Sequence, residues 1–344
     1  MANNKLYIVV GLICFVVTIV YFSSGKLYVF NIQRYYRISF EMNETSSEHP
    51  DSVGSSENKT TCGGRLMLSV LRQGRLGNAM WEYSALYGLA NLTNRIPILN
   101  PGFRDLRRIF SLSGAEGIKV NHFEHFYHFE QHDWLAPYDI EVTSDNLRNI
   151  SQDVMLKGYF QHFRFFAHVS DKIRKEFTFR REIKQKVSVF FEQHNLMDKN
   201  IIKIGIHIRR RDLSRASWIK KGFGPPDLTY FINAMNHFRS KYKRVHFIVC
   251  SDDLKWVRKH ISGRDVTIVQ RNAAEEDMAL LSSCNHVIIS NGTFSWWIGW
   301  LCRGTTVRYK GIPKPNTTLY YMTNGQYWPP DDAYNHYVSV DSQK

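Results

Sequence analysis

The chain has 344 residues, of which 43% are hydrophobic and 14% aromatic, enough for two ordinary cores and too many for an intrinsically disordered chain. Its 45 Lys and Arg against 31 Asp and Glu leave a formal charge of +14, which attracts phosphates, acidic glycans, nucleic acid or a membrane surface. No zinc finger, RNA-recognition motif or long basic block is present, which sets nucleic acid aside as a partner.

Residues 1–5 read as a short cytoplasmic tail. Residues 6–22 carry no charge, and as a helix these 17 residues would span roughly 26 Å, the thickness of a thin bilayer. A cleaved signal peptide has a shorter apolar region and a small-x-small cleavage site, so the segment is expected to be a single transmembrane helix acting as an uncleaved anchor. Lys5 precedes it while Lys26, Arg34 and Arg37 follow it, so charge alone does not set the orientation. Residues 23–64 are expected to form a lumenal stem, flexible where 39–64 are rich in Ser, Glu, Asn, Thr and Gly. Glycosylation sequons begin at Asn43, Asn58, Asn91, Asn149, Asn291 and Asn316. The two in the stem favour a lumenal catalytic portion; Asn43, Asn58, Asn91, Asn149 and Asn316 are the acceptor candidates, Asn291 being assigned to the site below. Beyond Cys14 in the apolar segment, Cys62, Cys250, Cys284 and Cys302 allow two disulfides by any of three pairings, or buried free thiols.

The folded part is expected in two domains, 65–197 and 198–344. Residues 66–71 read as a strand, and the turn Gly74-Arg75-Leu76-Gly77-Asn78 leads into a helical pattern over 80–91. Glycine there lets backbone N–H groups approach an anion at a helix start; a purely structural tight turn is the alternative. His122, His125, His128 and His132 lie among Phe123, Phe126, Tyr127, Phe129 and Trp134, an aromatic surface suited to sugar faces or ordinary packing more than to a metal. Residues 155–160 read as a strand, and 170–194 as one or two basic amphipathic helices.

Residues 201–208 alternate β-branched with small or polar residues, so a strand is expected to end near His207. Arg209-Arg210-Arg211-Asp212 then sit where α/β sheets bind ligands, and the planar fork of arginine suits phosphate. Gly and Pro mark 214–226 as a loop. Helices over 230–238, 254–260 and 275–283 alternate with strands over 245–250, 266–269 and 286–290, which predicts a doubly wound parallel sheet. Asn291-Gly292-Thr293 opens a helix over 294–301, with Asn291 and Thr293 as N-cap candidates and Trp296 and Trp297 as core. If this turn and the arginine loop follow neighbouring strands, both converge on one pyrophosphate.

His207-Ile208-Arg209-Arg210-Arg211-Asp212 resembles the H-x-R-R-x-D motif of α-1,2- and α-1,6-fucosyltransferases. Ser251-Asp252-Asp253 with Trp256, Asp277 through Gly292-Thr293-Phe294-Ser295-Trp296-Trp297, and Gly74-Arg75-Leu76-Gly77-Asn78-Ala79-Met80 resemble three further motifs of the α-1,2 family in the same order. Ala79 departs from the glutamine of many relatives. The resemblance implies a GT-B-like fold, with two Rossmann-like domains facing a cleft. It implies a type II Golgi membrane enzyme that moves L-fucose from GDP-fucose to the 2-hydroxyl of a terminal β-galactoside with inversion. A different acceptor or linkage, or an inactive lumenal glycan-binding protein, is the alternative.

The same resemblance gives Arg209 and Arg210 catalytic roles on the GDP phosphates. Asp277 would meet guanine; Thr293 and Ser295 would meet phosphate; His207 and Asp212 would shape the loop, with Asn291, Gly74, Arg75, Gly77 and Asn78 also in donor binding. No Asp-x-Asp triplet occurs, so arginine is expected to stand in for a metal, with no cofactor beyond the donor. Glu82, Asp105, Glu124 and Asp133 are candidate bases that nothing in the sequence separates.

Overall fold

The computed structural model describes residues 64–115, 123–131, 144–270 and 273–326, and the backbone of strands at 7–9, 16–23, 26–33 and 337–339. Two compact units result, Met1–Lys59 and Thr60–Lys344. In the first, β1 (Tyr7–Val9), β2 (Val16–Ser23) and β3 (Lys26–Gln33) form an antiparallel sheet in that order. The described part of the expected transmembrane helix is therefore strand. Val16, Val17, Thr18, Ile19 and Val20 are all β-branched, which lowers helix propensity and favours extended pairing. Among the described residues no helix is long and apolar enough to cross a membrane. The tail 1–5, most of the stem, Cys14, Cys62, Asn43, Asn58, His122, His132, Asp133 and Trp134 lie outside the described residues.

The second unit holds two parallel sheets, the architecture of a GT-B-like fold. The first contains β4 (Met67–Val70), β5 (Ile96–Ile98), β6 (Tyr127–Glu130) and β7 (Val154–Lys157), in the order β5-β4-β7-β6. The second contains β8 (Ile202–Ile208), β9 (Val245–Ser251), β10 (Val266–Ile268), β11 (His286–Ile289), β12 (Thr306–Arg308) and β13 (Tyr337–Ser339), in the order β10-β9-β8-β11-β12-β13. Each sheet reverses direction of growth at its first strand, between β4 and β7 and between β8 and β11. Those reversals are switch points, where adjacent loops diverge and leave a crevice.

The helices are α1 (Leu76–Thr93), α2 (Arg104–Ile109), α3 (Ser144–Arg148), α4 (Ser170–Glu176) and α5 (Arg181–Gln193) around the first sheet. Around the second lie α6 (Ala216–Lys221), α7 (Leu228–Lys241), α8 (Leu254–His260), α9 (Ala274–Ser282), α10 (Thr293–Leu301) and α11 (Thr318–Met322). Short α6 interrupts the expected 214–226 loop. A helix buried on most sides is apolar on most sides, as α10 is and as α1 is apart from the buried Glu82 and Ser84. They pack on one another between the sheets. Trp81 of α1 lies 4.2 Å from Trp296 and 5.2 Å from Trp297, ring centre to ring centre. Phe166 and Phe177 close the same cluster around Trp297. Arg174 stacks 3.9 Å over Trp300 and donates to its carbonyl, capping the end of α10 from the first half. Further back, α5 packs on α9, where Lys186 pairs with Glu276.

Cys250, Cys284 and Cys302 are buried free thiols, the second of the two readings open from sequence.

Candidate functional site

Parallel pairing sets His207 beside Ile289, so residues 209–212 and 291–293 leave the same sheet edge side by side. The condition set for the two turns, that they follow neighbouring strands, is fulfilled by the strand order. Arg209 is aimed by three contacts. Its N–H donates to Ser290 Oγ at 3.0 Å, its Nε donates to Asp212 Oδ1 at 3.0 Å, and its Nη2 to Asp212 Oδ2 at 2.5 Å. Burial raises the Asp212 pKa, but the bonds and charge of Arg209, the Leu213 N–H and the Arg75 charge together outweigh it and the net shift is downward. The remaining nitrogen, Nη1, lies against Gly292: a Cβ added there would stand 2.1 Å from it, and φ at Gly292 is +104°. Only glycine accommodates both demands.

Gly292 is also the N-cap of α10, and no side chain caps the helix. The expectation of Asn291 or Thr293 as the cap is corrected, since both side chains are engaged elsewhere. Asn291, 2% exposed, donates through Nδ2 to Gly224 O at 3.1 Å and so holds the 222–226 loop. Thr293 Oγ1 donates to Asn78 Oδ1 at 2.8 Å, across to the first half. The first N–H groups of α10 are thus left unclaimed by a side chain, beside Arg209, an arrangement that favours an anion.

The glycine turn of the first half meets this point. A Cβ on Gly77 would stand 2.7 Å from the Phe294 nitrogen and 2.8 Å from Thr293 Oγ1. Its carbonyl accepts Trp297 Nε1 at 3.0 Å. Glycine at 77 therefore lets the positive ends of α1 and α10 approach one another. Gly74 and Arg75 stand exposed at the rim, and the Arg75 charge helps hold the Asp212 pKa down.

Arg210 is turned differently from Arg209. It stacks 4.0 Å over Trp256 and donates through Nη1 to Pro226 O at 3.1 Å. The Asp252 carboxylate accepts the N–H of Arg210 at 2.8 Å and of Arg211 at 3.2 Å. His207 Nδ1 lies 2.6 Å from Ser295 Oγ, and burial, with Arg209 adding to it, pushes the His207 pKa down to about 3. The imidazole is neutral at pH 7. Ser295 is wholly buried, so its hydroxyl supports His207 and does not reach the crevice. Asp277 lies in the first turn of α9 and is hydrogen-bonded by the Cys250 thiol at the end of β9.

Of the candidate bases, Glu82 is wholly buried on α1 and accepts the Gln73 N–H at 3.0 and 3.2 Å, with Arg72 3.7 Å away. It cannot touch a substrate. Asp105 is paired with Arg72 at 3.1 Å, and Glu124 is exposed on the turn before β6. Burial pushes the Glu82 pKa from 4.5 up to about 8, against the opposing pull of Gln73 and Arg72. The folded state then holds a proton that the unfolded state releases across that interval. The contribution of Glu82 to stability is fullest below pH 4.5 and falls as pH rises towards 8, by on the order of a few kcal/mol. Glu82→Gln is expected to flatten this slope in thermal midpoints measured from pH 5 to 9; an unchanged slope would remove Glu82 as its source.

Sequence reading missed Gln161, which donates to Asn78 Oδ1 at 3.2 Å, and the loop-holding part of Asp252, although Ser251-Asp252-Asp253 marked its neighbourhood. No group of three or more His, Cys, Asp or Glu is placed to hold a metal among the described residues.

The chain matches the glycosyl transferase family 11 model over residues 37–320. It is 28% identical to the Bos taurus galactoside alpha-(1,2)-fucosyltransferase 1 over 262 residues, 72% of this chain and 69% of that protein. It is 29% identical to the Mus musculus galactoside 2-alpha-L-fucosyltransferase Sec1 over 268 residues, 74% of this chain and 69% of that protein. Among solved structures, fucosyltransferase NodZ from Bradyrhizobium aligns with a TM-score of 0.46 at 16% identity, over 69% of this chain and 94% of that one.

Proposed function

The chain belongs to glycosyl transferase family 11, and from that premise we propose that it moves L-fucose from GDP-fucose to the 2-hydroxyl of a terminal β-galactoside, forming an α-1,2 linkage. The observation that carries this reading is the meeting of Arg209, the uncapped start of α10 and the start of α1 at one switch point. A pyrophosphate bound there would have its charge met by Arg209 and the α10 N–H groups. As the bond from fucose C1 to the β-phosphate oxygen breaks, negative charge grows on GDP, and a fixed cation at that oxygen stabilises it without reorganising. The galactose 2-hydroxyl oxygen forms the new bond to C1 from the opposite face, losing its proton to a base or to water.

The pinned contacts of Arg210 suit a second, supporting charge that also fixes the 222–226 loop. Asp277, in the first turn of α9 beside the end of β9, is the carboxylate that the family resemblance assigns to the N–H donors of guanine, and the Cys250 thiol holds it from behind. His207, Asp212, Asn291 and Ser295 build the pocket wall from behind. Gly74, Arg75, Gly77 and Asn78 form its opposite side.

The Golgi, type II membrane setting rests on the uncharged stretch 6–22 and on the sequons. Exposure of Asn91, Asn149 and Asn316 supports their use as glycan acceptors, whereas Asn291 is buried. Chain expressed through a secretory pathway is expected to carry glycans at sites other than Asn291 by peptide mapping.

The experiment for the activity is transfer of labelled fucose from GDP-fucose to lactose-type and other galactosides by the full chain, in excess chelator. Transfer that survives chelation supports arginine in place of a divalent cation. Failure of the folded chain to bind GDP would end the reading.

A further inference from the structure

The turn after β7 has an unusual backbone. Gly158 has φ +154° and Phe160 φ +48°, and Phe160 is wholly buried. A bulky residue in the left-handed region is strained, and such strain persists where surrounding structure holds it for a purpose. Here Gln131 holds it: its Oε1 accepts the N–H groups of Tyr159 at 3.1 Å and Phe160 at 3.0 Å. The next residue, Gln161, is 7% exposed and reaches from the switch point of the first sheet to Asn78.

Asn78 is one of the points where the two halves touch. Its Oδ1 accepts two donors, Thr293 Oγ1 at 2.8 Å and Gln161 Nε2 at 3.2 Å. With Thr293 and Gln161 both donating to Oδ1, the NH2 group points the other way. It points at Gly74: a Cβ there would stand 2.1 Å from Asn78 Nδ2. Gly74 is followed by Arg75, whose charge is felt at Asp212, the partner of Arg209, so the NH2 group lies against the turn that borders the arginine loop. An amide held by Thr293 alone could turn over at the cost of one bond. The second contact raises that cost, because the Thr293 hydroxyl and the Gln161 carboxamide would both have to reorient to accept from a reversed NH2 group.

We infer that Gln161 is a positioning residue for transfer, fixing the Asn78 carboxamide so that its NH2 group faces the bound sugar nucleotide. The inference rests on the fucosyl-transfer reading above. It also explains why a strained turn is kept at β7: the left-handed Phe160 delivers the side chain that follows it.

The test uses the full chain with Gln161→Met, which keeps length and loses the donor, and Gln161→Glu, which keeps shape and places an acceptor against Oδ1. Both are expected to lower kcat by about 3- to 10-fold, with GDP affinity changed by less than about twofold. The thermal midpoint of Gln161→Met, which introduces no buried charge, is expected within about 2 °C of the parent. In an Asn78→Ala background Gln161→Met should cost nothing more, because Gln161 acts only through that amide. Full activity of both Gln161 variants, or an undiminished effect of Gln161→Met in the Asn78→Ala background, would overturn the inference. So would a loss of rate that follows a loss of thermal midpoint, the mark of a structural role alone. The parent chain in the same assay separates the two layers: with no transfer by the parent the underlying activity fails, whereas a working parent and indifferent variants sink only the part given to Gln161.

Discussion

Arg209→Ala is expected to lower kcat for fucose transfer by about 10²- to 10³-fold, the scale at which removal of one aimed charge-stabilising donor is felt. The Arg209 guanidinium is oriented by two bonds to Asp212, and its third nitrogen lies against the Gly292 backbone at the opening of α10. Truncation also leaves Asp212, 24% exposed at its side chain, as an uncompensated negative charge where phosphate would bind. Arg209→Lys should rescue little, because an ammonium cannot keep a two-pronged bond to Asp212 and still reach Gly292. The thermal midpoint separates this from misfolding: a partly exposed ion pair contributes roughly 0–1 kcal/mol to folding, so a near-parental midpoint with a collapsed rate is the expected pair of results. A loss of rate below about threefold would take Arg209 out of the charge-stabilising role.

Trp297→Ala is expected to cost about 3–5 kcal/mol of stability, the range for an aromatic deletion in a close-packed core. Trp297 is wholly buried, is ringed by Trp81, Phe166 and Phe177, and ties α10 to the first half through Gly77 O. Trp297→Phe keeps most of the buried ring area and loses the indole N–H, leaving the Gly77 carbonyl unpaired at a cost of about 1–3 kcal/mol. Denaturant titration gives both numbers. If the two variants cost the same, the cavity contributes nothing and the bond to Gly77 carries the whole effect; if Trp297→Phe is silent, the bond contributes nothing to holding the two turns together.

Much of this was legible in the sequence. The alternation in 201–208 and the apolar run His286-Val287-Ile288-Ile289 mark β8 and β11, because a strand between two helical layers must be apolar. The glycines at 77 and 292 and the arginine at 209 were also visible as motif residues. Their contact was not, since 215 positions separate Thr293 from Asn78 and only strand order brings them together. Ser295 shows why residue type misleads: a serine at a helix start suggests phosphate, yet the turn of α10 rotates it inward to His207. Arg210 follows Arg209 in sequence, and the backbone sends successive side chains to different sides, one to Gly292 and one to Trp256. The apolar stretch 6–22 carries two signals at once, an uncharged length suited to a helix and a β-branched run suited to strands, and residue type alone does not choose between them. Gln161 left no trace at all, because its partner lies 83 residues away and glutamine after a strand is unremarked.

The most direct test is the structure of the product. The full chain would be given GDP-fucose and a β-galactoside, with chelator present, and the glycosidic bond of the product read by nuclear magnetic resonance. An α-anomeric fucose on galactose O2 is the expected result. Fucose on another oxygen, or in the β configuration, would contradict the proposed acceptor position or the inverting displacement, and absence of any fucosylated product from chain that binds GDP would contradict transfer to a galactoside.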